Sequence, residues 1–169
     1  MKRKFQRRDF LKRSATLVVG SFVLPQIIPS TALGMGGKAP PSDRIVMGAI
    51  GVGSKGIGDM YSFLSRTSEI QFVAVCDVDT SHCKAAKKIV DDEYGNIDCR
   101  TYDDFREFLD KEELDAITMA LPDHWHGIIS VAAVNRKIDV YGQKPLCRTI
   151  REGQAIVKAV KMNNVIWQT

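Results

Sequence analysis

A chain of 169 residues that is 44% hydrophobic, 26% charged and 8% aromatic has the make-up of one folded domain, which excludes a disordered or collagen-like chain. The formal net charge is +4, but seven basic residues (Lys2, Arg3, Lys4, Arg7, Arg8, Lys12, Arg13) crowd the first 32 positions beside one acid, Asp9. The remainder has 17 basic and 19 acidic residues, so the positive balance is no sign of a nucleic-acid partner, and no nucleic-acid-binding motif occurs.

Residues 1–34 read as an export signal. A basic segment, Lys2–Arg13, precedes an apolar stretch, Ala15–Leu24, that ends at Pro25. Ser30-x-Ala32 offers small residues for cleavage. The apolar stretch is too short to cross a hydrocarbon core of ~30 Å as a helix, so no stable membrane span is expected in the mature form. Gln6-Arg7-Arg8-Asp9-Phe10-Leu11-Lys12 resembles the twin-arginine signal R-R-x-F-L-K. That resemblance implies the twin-arginine export machinery as a partner and a periplasmic or otherwise exported location; an ordinary basic signal or an uncleaved anchor is the alternative. Twin-arginine passengers fold before export, in a reducing compartment. The four cysteines (Cys76, Cys83, Cys99, Cys147) form no C-x-x-C pair, so they are expected as free, mostly buried thiols rather than zinc ligands.

Residues 35–43, with Gly36, Gly37, Pro40 and Pro41, read as a linker, and 44–169 as the folded domain. Apolar runs then alternate with amphipathic stretches. Strands are expected at 45–50, 70–76, 98–101, 116–121, 138–141 and 165–168. Helices are expected at 55–66, 81–94, 103–109, 124–136 and 151–162, with Ile57, Met60, Tyr61 and Leu64 facing inward on the first and Asp123 capping the fourth. Such alternation predicts an α/β fold, a doubly wound, mostly parallel sheet with helices on both faces.

After the first strand comes Gly51-Val52-Gly53-Ser54-Lys55-Gly56, a G-x-G-x-x-G loop with a strand before it and a helix after it. Gly51 suits a tight turn, Gly53 close approach of a pyrophosphate, and Gly56 close helix–strand packing. Ser54 and Lys55 open the helix, where free N–H groups and the positive dipole end favour phosphates. Asp77 ends the second strand, placed to accept hydrogen bonds from the adenosine ribose hydroxyls. It would repel a 2′-phosphate and no Arg follows it, which favours NAD over NADP. Asp77 could instead cap a turn or helix.

Two more segments fall at strand ends, Leu121-Pro122-Asp123-His124-Trp125-His126 and Tyr141-Gly142-Gln143-Lys144-Pro145-Leu146. Together with the glycine loop they resemble the Gfo/Idh/MocA oxidoreductase family, whose pattern T-P-x-x-x-H, helix, V-x-x-E-K-P-L is matched by Pro122, His126, Val140, Lys144, Pro145 and Leu146. The resemblance covers 44–169 and implies a Rossmann domain that binds NAD(P). By the same resemblance, Pro122, His126, Gln143 and Lys144 border the cofactor, and Lys144 is the catalytic residue, holding a substrate hydroxyl and assisting proton transfer. A solvated loop lysine and a packed histidine are the bland readings of Lys144 and His126. His124-x-His126 lacks a third ligand, so no metal is expected.

Three positions depart from the family pattern. Gln143 replaces a glutamate, Leu121 a threonine, and Arg136 stands where a glycine would favour a left-handed turn. The C-terminal domain of the family, which by the same resemblance supplies the substrate pocket, a catalytic histidine and usually the oligomer interface, is expected to be missing from this sequence. The resemblance therefore implies the nucleotide-binding domain of an exported oxidoreductase acting on a sugar, sugar derivative or cyclitol. A glycosidase with transient redox chemistry is the alternative, and a dinucleotide-binding module without catalysis the third reading.

Overall fold

Six apolar runs of the sequence become the strands of one sheet, and the amphipathic segments between them become helices that cover both its faces. The computed structural model describes residues 43–169; the export signal expected at 1–34 and the expected linker up to residue 42 lie outside the described residues. The strands are β1 (Ile45–Ile50), β2 (Ile70–Cys76), β3 (Arg100–Tyr102), β4 (Ala116–Met119), β5 (Asp139–Gly142) and β6 (Trp167–Gln168). They lie in the order β3-β2-β1-β4-β5-β6 and every ladder is parallel. The chain winds outward from β1 to one edge, then returns to pair β4 with β1. This reversal opens a crevice at the carboxyl ends of β1 and β4, the place where doubly wound sheets bind ligands.

The helices are α1 (Ser54–Leu64), α2 (Thr80–Tyr94), α3 (Phe105–Lys111), α4 (Asp123–Val134) and α5 (Ile150–Asn163). On one face Met60 and Leu64 of α1 and Ala86 and Val90 of α2 pack against Met47, Phe72 and Val75. On the other face Phe108, Leu109, Ile129, Ala133, Val134 and Ala159 of α3, α4 and α5 cover Ala74, Ile117, Met119 and Val140. Burial on both faces explains why these strands read as apolar runs rather than alternating ones.

Four local expectations are corrected. Tyr61 faces solvent, because the buried stripe of α1 follows the four-residue step Gly56, Met60, Leu64. Pro122 takes the N-cap position of α4, and Asp123 lies in the first turn, where its charge meets the positive dipole end. The left-handed residue after α4 is Lys137, with φ 63°, not Arg136. Instead, Arg136 reaches Asp110 at the end of α3. Asp104 starts α3 two residues later than expected by accepting the Arg106 N–H at 2.7 Å.

The edge strand β3 is only three residues long and needs an anchor beyond its ladder. Glu112, at the C-cap of α3, is buried and receives two bonds from the Arg100 guanidinium and one from the Tyr102 hydroxyl. Burial pushes the Glu112 carboxyl up, but the bonds from Arg100 and Tyr102 outweigh it and hold the group below its ordinary value of 4.5. A carboxyl whose folded value is depressed contributes stability that is present above the unfolded value and is lost as pH falls through the folded one. Replacing Glu112→Gln should therefore cost about 1–3 kcal/mol at neutral pH. The gap to wild type should close on acidification below the ordinary carboxylate range, as thermal melts across a pH series would read out.

Candidate functional site

The glycine loop follows β1 at the crevice. Its first glycine is fixed by the fold: Gly51 has φ +77°, and a Cβ there would lie 2.3 Å from the Ala120 carbonyl oxygen. The third is fixed by packing, since a Cβ on Gly56 would fall 1.9 Å from the Gly51 carbonyl oxygen. Gly53 is different. Its φ is −66°, open to any residue, and a Cβ would meet nothing nearer than the His82 ring at 3.6 Å. Nothing in the domain requires glycine at this position. It leaves bare backbone at the N-cap of α1, a helix without a side-chain cap, so that the first-turn N–H groups of Ser54, Lys55 and Gly56 have no intrahelical acceptor. Such a bed suits a phosphate oxygen.

Lys55 contributes backbone only. Its ammonium is turned along α1 to Asp59, 2.5 Å away, rather than toward the bed, because an i,i+4 carboxylate is its nearest partner. Ser54 is exposed at the first turn.

Asp77 stands one residue past β2, where its side chain is 11% exposed. Its two oxygens accept the Val52 N–H at 2.8 Å and the Asp79 N–H at 2.9 Å, so the acid ties the glycine loop to the end of β2. Each carboxylate oxygen keeps a further lone pair for an outside donor. Capping of α2 falls to Asp79, which accepts from Ser81; those bonds hold the Asp79 carboxyl below its usual range. The sequence reading missed His82, on the first turn of α2, whose Nδ1 lies 3.5 Å from Asp77 Oδ2. Only its spacing of five residues from Asp77 could have flagged it.

Past β4, Pro122 is exposed at the mouth of the crevice. His126 does not line the site as expected. Its ring is 0% exposed, and Nε2 lies 2.9 Å from the Leu121 carbonyl oxygen. Against a carbonyl, Nε2 must carry the proton, which leaves Nδ1 buried without a partner. His126 thus holds the turn that carries Leu121 and Pro122 from a fully buried position. His124 is exposed on that turn, and the neighbouring Trp125 packs edge-on against Phe105, ring centres 6.0 Å apart.

Past β5, the Gln143 N–H donates to the Met119 carbonyl at 2.9 Å, and its side-chain amide donates to Asp59 at 3.2 Å. A chain Lys55–Asp59–Gln143 thereby joins α1 to the β5 loop; Asp59 was not singled out from the sequence. Lys144 follows, exposed, with a cis peptide to Pro145 and no ion pair or hydrogen bond among the described residues. Gly51, Gly53, Ser54, Gly56 and Asp77 therefore gather on one side of the crevice, and Pro122, Gln143 and Lys144 on loops after the next strands. A cleft of about 620 Å³ lies at the opposite ends of the strands, but its Arg136 is paired with Asp110 and its Arg44 with Gln71. Bare backbone at Gly53, an uncapped helix start and an acid with spare lone pairs fit the pyrophosphate and ribose of a dinucleotide.

Comparison with known proteins agrees. Residues 45–169 match the family described as oxidoreductase family, NAD-binding Rossmann fold, GFO_IDH_MocA. The glycosyl hydrolase family 109 protein 2 of Shewanella sp. (strain ANA-3) is 28% identical over 162 residues, 88% of this chain and 35% of its own length. The inositol 2-dehydrogenase of Salmonella typhimurium (strain LT2) is 26% identical over 116 residues, 69% and 33% of the two chains. In structure the chain is similar to myo-inositol 2-dehydrogenase from Lactobacillus plantarum, with TM-score 0.65, 25% identity and coverage of 74% and 35%. It shares its fold with scyllo-inositol dehydrogenase from Lactobacillus casei, solved with NAD(H) and scyllo-inositol, at TM-score 0.66, 19% identity and coverage of 74% and 35%. The chain spans about a third of the length of the curated relatives it matches. With that match over nearly all the described residues, the chain belongs to the Gfo/Idh/MocA oxidoreductase family and carries its NAD-binding Rossmann domain.

Proposed function

We propose that this chain is the cofactor-holding part of an exported dehydrogenase that transfers hydride from a carbinol carbon of a sugar, sugar derivative or cyclitol. The observation that carries the cofactor role is Gly53, the one loop glycine that the protein's own packing leaves unexplained. Bound nicotinamide would supply the hydride acceptor. Gly53 and the first-turn N–H groups of α1 would hold the pyrophosphate, and Asp77 would accept from the adenosine ribose. Lys144, exposed and unpaired on the loop after β5, would hold the substrate hydroxyl and assist transfer of its proton as hydride leaves. Pro122 and Gln143 would shape the floor between the two. The sugar-like substrate class is supported by the inositol dehydrogenases among the relatives, and export by the arginine pair at Arg7 and Arg8.

The relatives named glycosyl hydrolase cover 88% of the chain against 69% for the inositol dehydrogenases, which favours keeping a second reading. In it the same residues serve a glycosidase that oxidises the sugar transiently and reduces it again after the aglycone leaves. The test is to supply the intact gene product with NAD⁺ and either free cyclitols and sugars or aryl glycosides. Net NADH from the free polyol supports the dehydrogenase; aglycone release without net NADH supports the glycosidase. Neither product would overturn both.

In calorimetry with the 169-residue chain, Gly53→Ala should lower NAD⁺ affinity at least ~10-fold, or about 1.4 kcal/mol, while melting stays within roughly 1 kcal/mol of wild type. Lys144→Met should lower turnover of the intact protein roughly 10²–10⁴-fold and leave NAD⁺ affinity nearly unchanged. Replacing both Arg7 and Arg8 by Lys should retain the protein in the cytoplasm, as cell fractionation would show.

A further inference from the structure

The inference rests on the nucleotide site described above and concerns the edge of it that the family pattern does not address. The His82 ring sits between Asp77, which would meet the adenosine ribose, and Gly53, which would meet the pyrophosphate. Its Nδ1 is 3.5 Å from Asp77 Oδ2, and its Cε1 is 3.6 Å from the position a Gly53 Cβ would take. The side chain is 47% exposed, so solvent protons and a bound ligand both reach it. No Arg follows Asp77; the next residues are Val78 and Asp79. His82 is thus the cationisable group placed against the acid expected to take the ribose hydroxyls.

We propose that His82 determines, together with Asp77, what the site accepts at the 2′ position of the adenosine ribose. With a neutral imidazole, the Asp77 carboxylate faces a 2′-phosphate uncompensated and rejects it. With an imidazolium, the charge on Asp77 is balanced at close range and an N–H donor becomes available to phosphate oxygens. The site then admits NADP as well as NAD. Discrimination between the two cofactors is graded by the charge on one side chain rather than fixed by the acid alone.

The other charged groups around the ring leave this dependence in place. Asp79 Oδ2 lies 4.0 Å from Nε2 and stays ionised over the range where a histidine titrates, its carboxyl held low by Ser81. The glycine loop brings only backbone. Lys84 and Lys87 of α2 line the groove beyond Asp77, with Asp103 across it. Lys87 is engaged by Asp91 at 2.8 Å.

The experiment is calorimetric titration of the 169-residue chain with NAD⁺ and NADP⁺ at about pH 5.5 and about pH 8, bracketing histidine titration. Wild type is compared with His82→Gln and His82→Lys, each checked for folding by its melting curve. A 2′-phosphate itself gains a proton near pH ~6, and the Gln variant reports that contribution alone. The ratio of NADP⁺ to NAD⁺ dissociation constants should fall on acidification roughly five- to tenfold further in wild type than in His82→Gln. His82→Lys should hold the ratio low at both pH values. An equal pH response in wild type and the Gln variant, or a ratio unmoved by Lys, overturns the proposal while the NAD site stands. If folded wild type binds neither dinucleotide, the reading of the site falls and this proposal with it.

Discussion

The arrangement depends on one contact distance, the approach of α1 to the end of β1. A Cβ on Gly56 would sit 1.9 Å from the Gly51 oxygen, and a Cβ on Gly51 would sit 2.3 Å from the Ala120 oxygen. No side chain fits either place, so three segments converge with backbone against backbone. The consequence lies at Gly53. Once α1 is pressed onto β1, the turn between them must expose its middle, and the helix must begin there without a side chain to cap it. Asp77 completes the geometry by accepting from Val52, which keeps the loop from lifting away from β2. The ligand bed follows from a packing constraint, and Gly53 alone was left for the ligand to choose.

The same view accounts for the departure at Gln143. Its amide donates to the Asp59 carboxylate at 3.2 Å, and Lys55 closes on the same oxygen. A glutamate at this position would bring a second carboxylate against Asp59, and like charges at that distance repel. The amide instead ties α1 to the loop that carries Lys144. A lost charge in the family pattern thus becomes a neutral strut between the glycine-loop side of the crevice and the loop after β5. Phe63 of α1, edge-on to Tyr141 at 5.3 Å, braces the same junction.

Much of this was legible in the sequence, for physical reasons. Strands buried on both faces are continuous apolar runs, and β1 and β2 began and ended where their runs did. The glycine loop and Asp77 were legible because backbone geometry and charge leave few alternatives to those residue types. Pairings across long sequence distances were not. Asp59 meets Gln143 across 84 positions, and Glu112 meets Arg100 across a helix, with no local pattern to announce either. His126 shows the converse case. The family pattern marked the residue, and burial and the Leu121 carbonyl fix its ring in the packed position that the sequence had left as the alternative. Edge elements were also misjudged, because β3 and β6 are short and their bounds are set by neighbours rather than by their own residues.

Formal cations are scarce around the glycine loop, where the pyrophosphate of a dinucleotide would lie. Lys55 is turned to Asp59, and no arginine follows the glycine loop or Asp77. Recognition of phosphate must therefore come from oriented N–H groups and the helix dipole, which act over a short range and only in the right geometry. A site of this kind selects by shape and by the few charges it does carry. Here those include Asp77 and His82 on one side of the crevice and Lys144 past β5. In the proposed function the acid would sort cofactors at one end and the lysine would face the reacting carbon at the other. The uncharged backbone between them would let each end work without electrostatic interference from the phosphate bed.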